Sequence, residues 1–199
     1  QYFSACGVVY GNILILFTIL YMLTILLMEK KDKEIYKGLS DTDALTGLFN
    51  RRAFQAAVDE TLLKRIAGIF IFIDVDNFKD YNDKYGHANG DLCLKHFAAT
   101  MKKCFPKDSI LGRYGGDEFV VYIKNAVSDD AHRYMDEFQR EISHLMMSGG
   151  EHVTVSASAG GVAFIGEGED FVSLCRSADN MLYDVKRNGK GTFKMKGAK

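Results

Sequence analysis

Leu111-Gly112-Arg113-Tyr114-Gly115-Gly116-Asp117-Glu118-Phe119-Val120-Val121 sets two adjacent glycines between two apolar runs. This predicts a β-hairpin, with strands over about Ser109–Tyr114 and Asp117–Lys124. Gly115 and Gly116 would form its tight turn, because glycine reaches positive φ without a Cβ penalty. Past the turn, period-2 alternation puts Phe119, Val121 and Ile123 on one face. Two carboxylates, Asp117 and Glu118, then stand beside a turn that has no side chains. Bare backbone admits a phosphate, and carboxylates there can hold a cation that neutralises it. The plainer alternative for Gly-Gly-Asp alone is a surface hairpin with a polar tip.

The chain has 199 residues and a formal net charge of −1. That length suits one medium domain with an extension. The charge gives no support for nucleic-acid binding, which shows as a basic patch. Cys6, Cys93, Cys104 and Cys175 form no close pair with metal or redox spacing, so they read as reduced cytosolic thiols.

Gln1 to Met28 carries no charged residue, and 8–28 is dominated by Ile, Leu, Val, Phe and Met. A bilayer core takes roughly 20 such residues as a helix, so a transmembrane helix is expected over about 8–28. The alternative, a signal-peptide apolar region, lacks preceding basic residues. Glu29, Lys30, Lys31, Asp32, Lys33, Glu34 and Lys37 follow at once. Lysine-rich flanks stay on the cytoplasmic side. The expectation is a protein of the inner (cytoplasmic) membrane, with a connector helix over 29–40 and a catalytic domain over 41–199 in the cytoplasm.

Within that domain, Asp41 to Arg52 reads as a glycine-containing turn and then a helix capped near Asn50 and running to about Lys64. Ile69 to Val75 is an apolar run continuous enough for a strand covered on both faces. It carries Asp74 and leads into Asp76. A carboxylate at the end of a central strand is costly to desolvate without a partner, and a metal is a natural one. Asp76 has a second reading, as the cap of a helix beginning near Asn77. Asn77 to Asp91 is a short helix, a glycine turn and the start of another helix, for which Asp91 alone would read as the N-cap. Apolar stripes mark helices over about Leu92–Phe105, Asp129–Met147 and from Phe171 onward, and Val153–Phe164 is a strand. The P-loop and Rossmann glycine patterns are absent.

Gly115-Gly116-Asp117-Glu118-Phe119, preceded by Arg113, resembles the signature of the GGDEF family, the diguanylate cyclases. Asp43-Ala44-Leu45-Thr46-Gly47-Leu48-Phe49-Asn50-Arg51-Arg52 resembles the family's entry motif. Phe78-Lys79 through Asn82-Asp83, Gly86-His87 and Gly90-Asp91 resemble another family pattern. Ser158 and Gly160 match its Thr-Val-Ser-x-Gly strand, and Ala178 to Lys186 resembles its last helix. The resemblance covers Asp41 to the C-terminus.

It implies a palm-like α/β (α+β) fold, a mixed central sheet flanked by helices. It implies condensation of two GTP into cyclic di-GMP with loss of two pyrophosphates, each domain of a homodimer bringing one GTP. Mg²⁺ (or Mn²⁺) would be held by Asp74, the Val75 carbonyl and Asp117, with Glu118 available to a second ion. Asn82 and Asp91 would read guanine, since a carboxylate accepts from its N1–H and N2–H₂ edge. Gly115 and Gly116 would lie against the phosphates. The backbone at Asn77 and Phe78, with Lys79, Lys186 and Lys190, would hold the triphosphate, and Arg113 also falls on the substrate side. Lysines near a helix C-terminus also simply answer its dipole. A catalytically inactive GTP-binding sensor is the alternative function. Many members carry an Arg-x-x-Asp inhibitory site, and here its place is taken by Pro106-Lys107-Asp108-Ser109.

Overall fold

The computed structural model describes residues 15–28, 41–143, 145–146 and 152–196. The chain divides into two compact units, Gln1–Ser40 and Asp41–Lys199. In the first, residues 15–28 form helix α1, exposed along its whole length. Among the described residues no helix is long and apolar enough to cross a membrane. Residues 15–28 rise only about 21 Å as a helix, against roughly 30 Å of hydrocarbon. Of the expected spanning helix over 8–28, this is the part that falls within the described residues. Residues 8–14 of the expected span and the connector at 29–40 lie outside them.

The second unit runs β1 (Phe49–Asn50), α2 (Arg51–Leu63), β2 (Gly68–Val75), α3 (Phe78–Tyr85), α4 (His87–Cys104), β3 (Ile110–Arg113), β4 (Glu118–Lys124), α5 (Ser128–Ile142), β5 (Leu145–Met146), β6 (His152–Val153), β7 (Ala157–Phe164), α6 (Phe171–Arg187) and β8 (Phe193–Met195). Six strands form one mixed sheet in the order β1-β3-β4-β2-β7-β8, while β5 and β6 pair separately. The ladders around β2 are antiparallel, and β1–β3 and β7–β8 are parallel.

β2 lies inside the sheet and is buried from end to end, as its unbroken apolar run requires. The alternation of side chains gives the sheet two cores. Ile69, Ile71 and Ile73 of β2 join Phe119, Val121 and Ile123 of β4 beneath α4 and α5, where Phe97, Met135 and Phe138 pack. Phe70, Phe72, Val120 and Tyr122 face the other way, onto Phe54 and Val58 of α2 and Leu174, Ala178 and Leu182 of α6. A mixed sheet with helices on both faces is the expected architecture.

Two local devices set the frame. The Asn50 side chain accepts from Ala53 N–H at 3.0 Å and starts α2. Gly160 lets α6 lie directly on β7: a Cβ there would collide with the Ala178 carbonyl and the Leu182 amide. The very short strands β1 and β8 were not legible as periodic segments; the helix expected over Asp129–Met147 ends at Ile142, with β5 following, and the strand expected over Val153–Phe164 divides into β6 and β7.

Candidate active site

The site assembles where β2 ends. Antiparallel register sets Asp74 opposite Glu118 of β4 on one side and Ser158 of β7 on the other. Asp74 is only 8% exposed. Lys186 of α6 reaches its Oδ2 at 2.8 Å. Burial pushes the Asp74 carboxyl up, and the charges of Asp117 and Asp76 add to that, against the opposing pull of Lys186. Burial likewise raises Glu118, followed by Asp74 and Asp117. Asp117 belongs to the same cluster, and its carbonyl accepts from Val75 N–H at 3.2 Å. A cavity of about 350 Å³ opens beside the cluster, lined by Glu118, Asp179, Asn180, Leu182, Tyr183 and Lys186. Asp179 also acts on Glu118, a neighbour that sequence spacing gave no reason to single out.

The turn differs from expectation. Neither Gly115 nor Gly116 is among the residues with positive φ. The strands stop at Arg113 and resume at Glu118, whose carbonyl accepts from the Tyr114 N–H at 2.8 Å and the Gly115 N–H at 3.3 Å. The glycines supply room instead. A Cβ at Gly115 would sit 2.6 Å from Glu118 Oε2, and nothing lies within 4 Å of where one would point at Gly116.

Arg113 is engaged by the protein itself. Its Nη1 donates to Asp43 Oδ1 at 3.1 Å and Oδ2 at 3.2 Å. Its Nε and Nη2 donate to the Gly116 carbonyl at 3.1 and 2.7 Å. Asp43 in turn accepts from Thr46 N–H and Oγ1. These bonds and Arg113 hold the Asp43 carboxyl below the usual range against its own burial. Arg113 thus ties the entry loop to the glycine turn.

The α3–α4 corner turns at Gly86, φ 81°. α4 begins at His87, so Asp91 lies within the helix, exposed, and is not its N-cap. Asn82 Oδ1 is buried without a hydrogen-bond partner. Gly90 makes space for it, since a Cβ there would strike that oxygen.

Asn77 precedes α3 in the left-handed region, φ 54°, and makes no side-chain cap bond. Lys190 Nζ donates to Asn77 Oδ1 at 2.7 Å. Phe78 is half-buried and stacks toward Tyr81, with 6.3 Å between ring centroids. Lys79 is exposed. Asp76 caps no helix: its oxygens are taken by Ser156, Ser158 and Gly191.

Among the described residues no three His, Cys, Asp or Glu side chains are arranged to hold a metal ion. The expected set of Asp74, Asp117 and Glu118 is therefore not a closed protein cage. It still fits a hard divalent cation. Burial and like charge raise two of these carboxyls in spite of Lys186, as expected of an acidic cluster that its one lysine neighbour does not fully offset. Mg²⁺ ordinarily takes one or two carboxylates and completes its shell with phosphate oxygens and water.

Residues 40–192 match the family model described as diguanylate cyclase, GGDEF domain. The chain is 32% identical over 168 residues to the cyclic di-GMP phosphodiesterase PdeR of Escherichia coli K12, covering 83% of this chain and 25% of that protein. It is 31% identical over 166 residues to the diguanylate cyclase DgcM of the same strain, covering 81% of this chain and 40% of that one. The GGDEF domain of DgcB from Caulobacter crescentus, solved in complex with c-di-GMP, superposes with a TM-score of 0.73 at 27% identity, covering 78% of this chain and 95% of that chain. The chain spans less than half the length of the curated relatives PdeR and DgcM. With its motifs, sheet order and family match in agreement, this chain belongs to the GGDEF domain family of diguanylate cyclases.

Proposed function

We propose that the domain is an active diguanylate cyclase, joining two GTP molecules into cyclic di-GMP and releasing two pyrophosphates. The observation that carries this reading is the pairing of buried Asp74 with half-buried Glu118 at the sheet end, beside an open approach at Gly116, with Lys186 as counter-charge. Phosphoryl-type transfer needs positioning and charge neutralisation more than covalent chemistry from the protein.

In this reading Asp74, Asp117 and Glu118, with the Val75 carbonyl, hold the divalent ion together with phosphate oxygens. When bound, that ion neutralises phosphate charge and polarises the attacking 3′-hydroxyl. Gly116 leaves the approach open. Lys186 and Lys190, already directed toward the end of β2 by Asp74 and Asn77, face the triphosphate, with Lys79 on the first turn of α3. Asn82 and Asp91 take the guanine edge, where the unpartnered Asn82 Oδ1 supports a ligand contact at this corner.

Each domain carries one nucleotide, so two copies must meet to close the product ring. The uncharged run from Gln1 to Met28 and the lysines after it support an anchor at the cytoplasmic membrane that brings copies together and passes on a signal. Tethering of this kind raises effective concentration to about the millimolar range.

The test is to incubate the protein with GTP and Mg²⁺ and to quantify cyclic di-GMP and pyrophosphate. The expected result is two pyrophosphates per cyclic di-GMP, with a rate per enzyme that falls on dilution. GTP binding without either product would identify the inactive sensor instead.

A further inference from the structure

Both carboxylate oxygens of Asp76 are committed. Oδ2 accepts from Ser156 Oγ at 2.7 Å and from the Gly191 backbone N–H at 3.0 Å. Oδ1 accepts from Ser158 Oγ at 2.6 Å. The Gly191 N–H also reaches Ser158 Oγ at 3.1 Å, and the Asp76 N–H donates to the Ser156 carbonyl at 2.9 Å. One buried side chain, 9% exposed, therefore joins three segments that are remote in sequence: the end of β2, the approach to β7, and the turn after α6.

Within the turn, the Lys190 N–H donates to the Val185 carbonyl of α6 at 3.2 Å, and the Gly191 N–H turns to Asp76 instead. Gly189, Lys190 and Gly191 all have positive φ, at 118°, 60° and 66°. Two glycines make such a turn costly to immobilise. A lysine in the left-handed region persists only where its surroundings over-determine it. Asn77, next to Asp76, is in the same region at φ 54°. The bond from Lys190 Nζ to Asn77 Oδ1, 2.7 Å long, joins these two strained residues across the end of the sheet. Asp76 lies beside Asn77 in the chain and bonds to Gly191, the neighbour of Lys190. Its carboxylate thus fixes the far side of the turn at Gly191, while the Lys190 N–H bond to Val185 holds the near side to α6.

We propose that Asp76 is a positioning residue for the triphosphate subsite: it fixes the turn that carries Lys190 against the start of α3. It acts through Lys190 and Asn77 and does not itself meet the nucleotide. The inference rests on the reading of this sheet end as a nucleoside triphosphate site. Asn at position 76 keeps an acceptor for Gly191 and Ser156, and its amide can donate to the Ser158 hydroxyl. Ala keeps nothing.

The experiment measures GTP affinity and steady-state kinetics in the full chain for Asp76→Ala, Asp76→Asn, Lys190→Ala and the double variant Asp76→Ala/Lys190→Ala, with amide hydrogen exchange of the 188–192 segment. Asp76→Ala is expected to weaken GTP binding by about ten- to a hundredfold, the range typical when a supporting side chain behind a ligand contact is lost. KM should rise more than kcat falls, and exchange at Gly191 should accelerate. Asp76→Asn should restore most of the affinity. In the Asp76→Ala background, removing Lys190 should cost little more, because the two act as a unit. Should Asp76→Ala not fold, Ser156→Ala, at an exposed position, should show the same KM-weighted pattern at smaller amplitude.

Unchanged GTP affinity in Asp76→Ala, unaltered exchange at Gly191, or independent and fully multiplying effects of the two substitutions would overturn the proposal. A wild-type chain with no GTP affinity would overturn the nucleotide reading itself. Wild-type affinity that survives loss of Asp76 would overturn the anchor alone.

Discussion

Lys186 meets Asp74 at 2.8 Å because α6 rests on the bare backbone of β7 at Gly160. The helix cannot come this close if that position carries a Cβ, which would collide with the Ala178 carbonyl and the Leu182 amide. Packing contact and site chemistry therefore share one glycine.

We predict that Gly160→Ala destabilises the domain by about 1–3 kcal/mol, the usual range for forcing an extra group into a packed interface. Activity should fall further than the loss of folded protein explains, since Lys186 moves with the helix. Unchanged denaturant midpoint and turnover would show that α6 is not seated as described.

The α3–α4 corner should control base selection. Asp91 is exposed within α4 and caps nothing, so Asp91→Ser should leave stability within about 0.5 kcal/mol. A serine hydroxyl cannot accept two guanine donors at once. Discrimination between GTP and ATP should drop by about ten- to a hundredfold, from the cost of an unpaired buried donor. Competitive binding of the two nucleotides measures it directly, and an unaltered ratio would remove Asp91 from the recognition edge.

Stability should carry the mark of the carboxylate cluster. Glu118 is raised by burial, then by Asp74 and Asp117. A raised carboxyl takes up a proton more readily in the folded chain than in the unfolded one. Its contribution to stability is therefore present at low pH and is lost as pH rises from the ordinary Glu range through the raised value. In chelator-treated protein at pH 7, Glu118→Gln should melt about one to two degrees above wild type, a small shift because the group is partly solvated. The gap should close on acidification. A gap that widens as pH falls would contradict the sign.

Product feedback should be weak. Where many family members carry Arg-x-x-Asp, this chain has Pro106 to Ser109, and the Ser109 N–H donates to the Pro106 carbonyl at 3.0 Å. The segment is a turn leading into β3. Proline cannot stack on a base or bind phosphate bidentately as arginine does. Initial rates should stay flat as micromolar cyclic di-GMP is added. Strong non-competitive inhibition would point to another basic surface, or to Lys107 and Asp108.

Much of this was legible from residue order. The unbroken run into Asp74 marked a strand covered on both faces. Alternation after Asp117 assigned Phe119, Val121 and Ile123 to one core. Asn50 announced its helix. What escaped were relations that only the fold creates. Gly115 and Gly116 suggested positive φ, but neither adopts it; at Gly115 the nearest neighbour of a Cβ would be the mobile end of the Glu118 side chain. Asp76 suggested a cap, but its partners Ser156, Ser158 and Gly191 arrive from far along the chain. The bond from Arg113 to Asp43 joins residues far apart in the chain, and residue order gave no sign of it. α4 starts earlier than Leu92 because its first residues carry no apolar stripe.

The central claim is that the carboxylates at the sheet end support transfer between two nucleotides. Cyclic di-GMP formation from GTP and Mg²⁺, measured for wild type and Asp117→Asn side by side with their melting curves, tests it most directly. Asn keeps the shape of Asp117 and removes its charge. The account predicts product from wild type, a loss of at least about a hundredfold in the variant, and overlapping melting curves. Comparable cyclic di-GMP production by Asp117→Asn would contradict it.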